Sequence, residues 1–445
     1  MPVSKLPPEI LSKVFEFREY EFVLVTATHV CRYWRSALIT SPSLWTCFRF
    51  RSRPNLDRAI TYLERSKSAL IDVTIDVDRS RSLVALKYLA PHIARMRSLI
   101  IYGCHENVRS ASLLFCSTSP TLQHLRIFSS GGLVRLPDDF LGQRAPSLSS
   151  VSFSNICLTF ESLFPLLNLV QFELFLREDA STFHIGALFR FLSGCPLLQK
   201  VRIDSEKMPQ DVALDQVILL ESLVELVCTC DPVGRIIPYL RLPRLRRLRV
   251  SSSFGSQQTQ KLSDLLPHGG HVLLAGATEM SYCFDNSSQS VELHGREVDI
   301  SLTTFRTAEG LPADWFFDET CIPFGQIETL IVTGFVAVDF PDNLDIFKNL
   351  RLLEISSWNA EFTEESSRLL YPNPGAEIPC QSLRRIHYTY DQGSPNWSLV
   401  GLVRERKRAG HQLGLLRLSI TYGCRYDEDI VEELKEHVGE VQITR

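Results

Sequence analysis

The amino-acid sequence predicts an α/β solenoid preceded by a short three-helix unit, and three observations carry that expectation. A strand-like phrase recurs through most of the chain, stretches of helical periodicity separate its copies, and the N-terminal region holds short amphipathic runs punctuated by proline. The length fits: 445 residues exceed the size at which a single core stops growing, so the chain forms several domains or extends its core along one axis. Hydrophobic residues make up 44%, charged residues 22%, and the formal net charge is −4. That balance excludes disorder and offers no global basic excess for nucleic acid.

Taken in order, the first element is LPPEILSKVFEF from Leu6. Proline stands where the first helical turn tolerates it, and Ile10, Leu11, Val14 and Phe15 recur at helical spacing. A second pattern runs Phe22, Val25, Val30, Tyr33, Trp34, Ala37, and Pro42 in TSPSLW ends it before Trp45. Three short helices can bury Trp34 and Trp45, but a unit so small lies near the lower limit of independent stability and is expected to need a partner. We place a helical domain at 1–50, a connecting segment at 51–67 and the solenoid at 68–445.

The repeated phrase is apolar-x-x-apolar-x-apolar: LIDVTI from Leu70, MRSLII from Met96, LQHLRI from Leu122 and LSSVSF from Leu148. It continues at Leu169, Leu198, Leu223 and Leu245, and returns at Ile327, Leu350, Leu383, Leu415 and Val438. Each copy reads as a short strand whose fourth and sixth positions enter a core while the third, fifth and seventh point the other way. Helical periodicity lies between, as in TFHIGALFRFLSGC and in SLVGLVRERKRAG, which Gly410 closes as a C-cap. The 82 residues between the starts at Leu245 and Ile327 hold TEMSYCF, SVELHG and EVDISLT, read as continued strands with short, non-helical connections.

A strand plus a helix at this repeat length resembles a leucine-rich repeat, from about residue 68 onward. The ninth position, where that family places an asparagine, is Asp78, Cys104, Ser130, Ile156 and Arg177 in the first five copies, so irregular curvature is expected. LPPEIL, VCRYWR and SPSLW, in that order between Leu6 and Trp45, resemble the F-box motif in the form common in large fungal families. The resemblance implies that Leu6, Pro7, Ile10, Leu11 and Val30 dock on the Skp-type adaptor of an SCF ubiquitin ligase, which brings cullin and RING subunits, with Trp34 and Trp45 as internal packing. The alternatives are a cap that only covers the end of the repeats, and a stand-alone interaction scaffold or ligand sensor.

On the outward, concave positions the candidate substrate contacts are Tyr102, Phe128, Phe175 and Arg202, then Arg247, Arg249, Arg385 and Arg417. Aromatic and arginine side chains anchor interfaces, and with His387 the later strands read as basic, suited to acidic or phosphorylated segments. No P-loop, GxGxxG, HExxH or GxSxG occurs, so neither an enzyme nor a cofactor is expected. His268 and His271 lack a flanking ligand cluster, and Cys228 and Cys230 read as packing, so no metal is expected. Twelve scattered cysteines suit reduced thiols of a cytoplasmic or nuclear protein. No signal peptide or membrane span can be written. The acidic run at 427–433 reads as the start of a capping helix and the basic run at 404–408 as a solvated helix face.

Overall fold

The computed structural model describes residues 6–16, 21–50, 56–78, 82–143, 145–157, 166–177, 185–205, 217–229, 236–253, 266–268, 274–284, 288–296, 298–305, 322–334, 344–357, 370–371, 378–390, 397–420 and 427–444. The chain divides into two compact units, Met1–Pro209 and Gln210–Arg445.

The first unit opens with helices α1 (Pro8–Glu16), α2 (Glu21–Ala27) and α3 (Arg32–Ile39). The pattern from Phe22 to Ala37 is thus two helices, because Cys31 is extended and its Sγ caps α3 by accepting from the Trp34 N–H. A 3-10 turn at Pro42–Trp45 then swings Trp45 into the centre. There it is fully buried, donates its indole N–H to the Leu38 carbonyl at 2.8 Å, and meets Tyr62 edge-on at 5.0 Å. Trp34 stays half-buried, edge-on to Phe15.

The segment expected to be a connection is built into the fold. Strand β1 (Cys47–Phe50) pairs in parallel with β2 (Ile71–Asp76), and helix α4 (Leu56–Ser66) between them carries Tyr62 and Arg65 onto Trp45. The sheet therefore begins at Cys47 rather than at 68, since the helical unit is too small to close its own core and shares Trp45 with the first strand-helix pair. It continues through β3 (Met96–Gly103), β4 (His124–Ser129), β5 (Ser150–Ser154), β6 (Gln171–Leu176) and β7 (Lys200–Ser205), all parallel and in chain order. Helices α5 (Ser82–Leu89), α6 (His105–Ser112) and α7 (Ile185–Ser193) occupy connections between them.

The expected strand phase holds: Leu125 and Ile127 are buried on β4 while His124 and Arg126 are exposed. Polar residues just before the phrase tie successive copies together. Thr121 donates to the Ala94 and Met96 carbonyls, Ser147 to Pro120 and Asn168 to Pro146. The asparagine ladder is not wholly missing either. Asp78 accepts from the Cys104 N–H at 2.7 Å, and buried Asn155, at φ +54°, donates to the Ser129 carbonyl and accepts from the Arg177 N–H. Asn155 was missed because it stands one residue before the ninth position.

The second unit contains β8 (Glu225–Thr229), β9 (Arg247–Ser253), β10 (Ala277–Phe284), β11 (Ser288–Gly295), β12 (Asp299–Phe305), β13 (Thr329–Gly334), β14 (Leu352–Ser357), β15 (Arg385–Tyr390), β16 (Leu415–Ile420) and β17 (Glu440–Thr444). Helices α8 (Trp397–Arg408) and α9 (Glu428–His437) precede β16 and β17. In space the order is β8, β9, β12, β11, β10, β13 and then onward in sequence. The strands read in the 82-residue gap exist, but they are laid in reverse. Strands β10 to β12, only three residues apart in sequence at each step, pair as an antiparallel meander whose outer strands run the same way, so the three enter a parallel ladder in either order. Gly295 is needed there, since a Cβ would run into the Gly276 carbonyl oxygen. The copy read from Leu415 is out of step by two residues: Ile386 pairs with Leu416, so the copy starts at buried Leu413 and Leu418 is its sixth position, not its fourth.

Helix α8 ends at Gly410, φ +82°, as its C-cap requires. In the 404–408 run Lys407 and Arg408 are exposed as expected, but Arg406 turns inward. Arg406 is fully buried and donates to the Pro379 and Cys380 carbonyls at 2.8 and 2.9 Å, and burial lowers its pKa to about 10. Cys380 sits at φ +49°. The first unit repeats the device: Arg95 donates to Ser66 Oγ and to the Lys67 and Ala69 carbonyls, and Lys67 has φ +50°. The acidic run does start a helix, with the Asp427 carboxylate capping α9 at the Asp429 N–H. Among the described residues no helix is long and apolar enough to cross a membrane.

Candidate functional site

Helix α1 carries two apolar stripes. Leu11 and Phe15 turn inward, 1% and 8% exposed, and hold the helix on its unit. Pro7, Ile10 and Val14, spaced three and four apart, turn outward, with Ile10 47% and Val14 57% exposed. Val25 and Val30 are exposed as well. Leu6 is half-buried, and its carbonyl accepts the Tyr33 hydroxyl. Of the five residues expected at a docking surface, Pro7, Ile10 and Val30 are presented to solvent, but Leu11 is not. It belongs to the core because the side on which Phe15 follows it four residues later faces α3 and Trp45. Val14 and Val25 are exposed apolar residues outside those five, and Val14 lies four residues from Ile10 as the periodicity showed.

The outward face of the first unit is organised by register into rows. One row reads Asp76, Tyr102, Phe128, Ser154, Phe175, Asp204, and the next reads Thr74, Ile100, Arg126, Ser152, Glu173, Arg202. Tyr102 and Phe128 meet at 6.2 Å between centroids, and the Arg202 guanidinium lies 5.1 Å over Phe175. The three rings are half-exposed, Arg126 and Arg202 exposed. The structure thus brings together the expected aromatic contacts and Arg202.

The second unit differs. Its corresponding rows interleave charges rather than concentrating base. Arg247 reaches Glu225 at 3.4 Å and Asp299 at 3.6 Å, His294 reaches Asp299 at 3.1 Å, and His387 stands 3.6 Å from Glu354. Arg417 donates to the Gln442 side chain. Of the basic residues expected on the later strands, Arg247 and His387 thus stand beside carboxylates, Glu225 and Glu354 from adjoining copies and Asp299 from the reversed meander. Arg249 and Arg385 are exposed with no carboxylate partner among the described residues. The imidazole of His387 is held below its usual pKa by burial and by Arg417, against the pull of Glu354.

For metal chemistry the described residues offer Glu433, Glu436 and His437, but Glu433 is bound by Arg404 at 2.5 Å, which supplies the cation already. Burial pushes the Cys228 thiol up to about 12, so it is an inert packing group. Cys230 and His271 lie outside the described residues, and His268 is exposed.

Comparison with known families then bears on the helical surface. Residues 3–51 match the F-box-like family model. The F-box-like segment thus spans the three helices, the turn to Trp45 and β1. Among curated proteins the chain is similar to F-box/LRR-repeat protein 9 of Arabidopsis thaliana, at 22% identity over 218 residues, which is 44% of this chain and 85% of that protein. An F-box-like domain at the N-terminus, followed by a large and mostly parallel sheet, is the architecture that these findings and the fold describe together.

Proposed function

We propose that the chain is a substrate-receptor subunit of an SCF-type ubiquitin ligase, acting in the cytoplasm or nucleus. The observation that carries this reading is the F-box-like match at residues 3–51 falling on helices that present Pro7, Ile10, Val14, Val25 and Val30 as uncovered apolar surface. Exposed apolar side chains on a unit of marginal size suit a partner helix, here the Skp-type adaptor. In this reading the strand-helix copies form a leucine-rich-repeat solenoid, its outward sheet face is concave, and Tyr102, Phe128, Phe175 and Arg202 are the main client contacts. The subunit has no chemistry of its own. Cullin and RING partners bring the conjugating enzyme, and the receptor contributes proximity.

A second reading is favoured by one observation: β1 and α4 join the helices to the sheet, so the N-terminal unit also closes its first edge. The experiment separates the two. The full chain with Pro7→Glu and Ile10→Glu is incubated with recombinant adaptor and compared with wild type. Loss of adaptor at an unchanged melting temperature supports docking. Unchanged co-purification, or no adaptor on the wild-type chain, leaves only the closing role.

A further inference from the structure

Across β3 to β6 of the first unit one outward row reads Tyr102, Phe128, Ser154, Phe175. Tyr102 and Phe128, on neighbouring strands, pack ring to ring at 6.2 Å, and Arg202 reaches from β7 to lie 5.1 Å over Phe175. A stack of flat groups thus crosses the sheet and is interrupted at one place, Ser154. Neighbouring strands lie about 4.8 Å apart, so Phe128 and Phe175 stand on strands roughly 10 Å apart. Among the described residues no ring contact joins them. A third ring set between them would lie about 5 Å from each, inside the range at which aromatic side chains pair.

The floor of this gap is polar. On β5 Val151 and Phe153 turn into the core, while the outward Ser152 and Ser154 lie low between the longer side chains of β4 and β6. Both serines are more than nine-tenths buried, Ser154 being 7% exposed, yet neither hydroxyl has a hydrogen-bond partner among the described residues. A buried hydroxyl left without a partner is costly, so the group that fits here brings a flat apolar body and a polar tip. Leucine or phenylalanine would fill the gap but leave the hydroxyls unbonded, and the indole N–H of tryptophan only donates. The tyrosine hydroxyl both donates and accepts.

We propose that the gap over Ser154 is a slot for a tyrosine side chain of the client protein. The ring completes the stack between Phe128 and Phe175, and the phenol hydroxyl bonds to Ser152 or Ser154 at the floor. One aromatic side chain in a pocket of this kind is the anchor around which the rest of a client contact is arranged. That the partner is a client rests on the ligase reading, whereas the slot itself does not.

The test selects binders of the full chain from a random ten-residue peptide library displayed on phage, discarding those that a Ser154→Phe chain also retains, since its own ring closes the stack. The remaining peptides should share a tyrosine. In the synthetic peptide, tyrosine to alanine should weaken binding at least about tenfold, and tyrosine to phenylalanine about two- to tenfold. Phe175→Leu removes one wall of the slot without adding bulk and should weaken the tyrosine peptide about threefold or more. Should Ser154→Phe not fold, the peptide series and Phe175→Leu decide alone. No peptide that distinguishes the two chains, a selected set built on leucine or arginine without a common tyrosine, a smaller loss than tenfold on tyrosine to alanine, or undiminished binding to Phe175→Leu would each overturn the proposal. Adaptor co-purification, scored on the same wild-type chain, judges the ligase reading separately.

Discussion

At the seventh position of the phrase, the first unit places Tyr102, Phe128 and Phe175. In the second unit the same row runs Thr229, Ser251, Thr303, Ser290, Cys283, Thr333, Ser356, Thr389, Ser419, Thr444. The first row holds three rings, with Asp76, Ser154 and Asp204 at its other places, and the second holds hydroxyls but for Cys283, on ladders of the same phase. The core side does not distinguish them, since Leu125 in one unit and Leu353 in the other are both buried. What the contrast teaches is that inward positions are dictated by burial, whereas outward positions are free to differ and record what each face meets. A half-exposed ring has apolar area to offer a partner, while a hydroxyl row satisfies itself and water, as where Ser419 and Thr444 bond at 2.9 Å.

The largest expected effects test the shared part. Leu125→Ala and Leu353→Ala should each lose about 2–5 kcal/mol in denaturant unfolding. Arg126→Ala and Arg249→Ala should stay within about 0.5 kcal/mol. Inward and outward changes of equal cost would remove the common phase and the comparison with it.

Next comes client capture. Replacing Tyr102, Phe128 and Phe175 together with alanine should cost about 2 kcal/mol or more in client affinity, as truncated interface anchors do. The paired change Arg249→Ala and Arg385→Ala should leave the captured set unchanged, with adaptor binding scored separately in both. If the arginine pair loses clients and the ring triple keeps them, the two faces have exchanged roles.

Smaller still is the charge ladder of the second unit. Glu225→Gln and Asp299→Asn free Arg247, and each should cost no more than about 1 kcal/mol, vanishing in high salt. A salt-independent loss would mean that the ladder is buried under something. The smallest effect is His387. Its folded pKa is lowered, so as pH falls below the ordinary value of 6.5 the unfolded chain takes up the proton first and stability declines through that window. Glu354, Arg417 and Arg385 are the charges that face it. The His387→Gln variant should flatten that slope in pH-dependent melting.

The aromatic row was legible in the sequence because β3, β4, β5 and β6 follow one another with their phase intact. The hydroxyl row was not, since three of its strands lie in reverse order and no local pattern records which strand neighbours which. Locally determined features came through: the capping helix at Asp427, the C-cap at Gly410, the apolar stripes of α1. The surface role of Leu11 failed for a related reason, because a helix with two adjacent apolar stripes gives no sign of which one the rest of the unit covers. Arg406 failed because a charged run on a helix says nothing of the carbonyls 26 residues upstream that need its donors.

Arg406 and Arg95 carry a consequence for how the chain can be cut and made. In each case a non-glycine residue held left-handed, Cys380 or Lys67, has its carbonyl gripped by an arginine from the following copy. During synthesis those turns stay unsecured until the later helix or turn has emerged, so structure is locked retroactively, one copy behind the growing end. A fragment that stops between Cys380 and Arg406 would therefore shed order beyond its own cut, and useful truncation points lie after an arginine clamp, never before one.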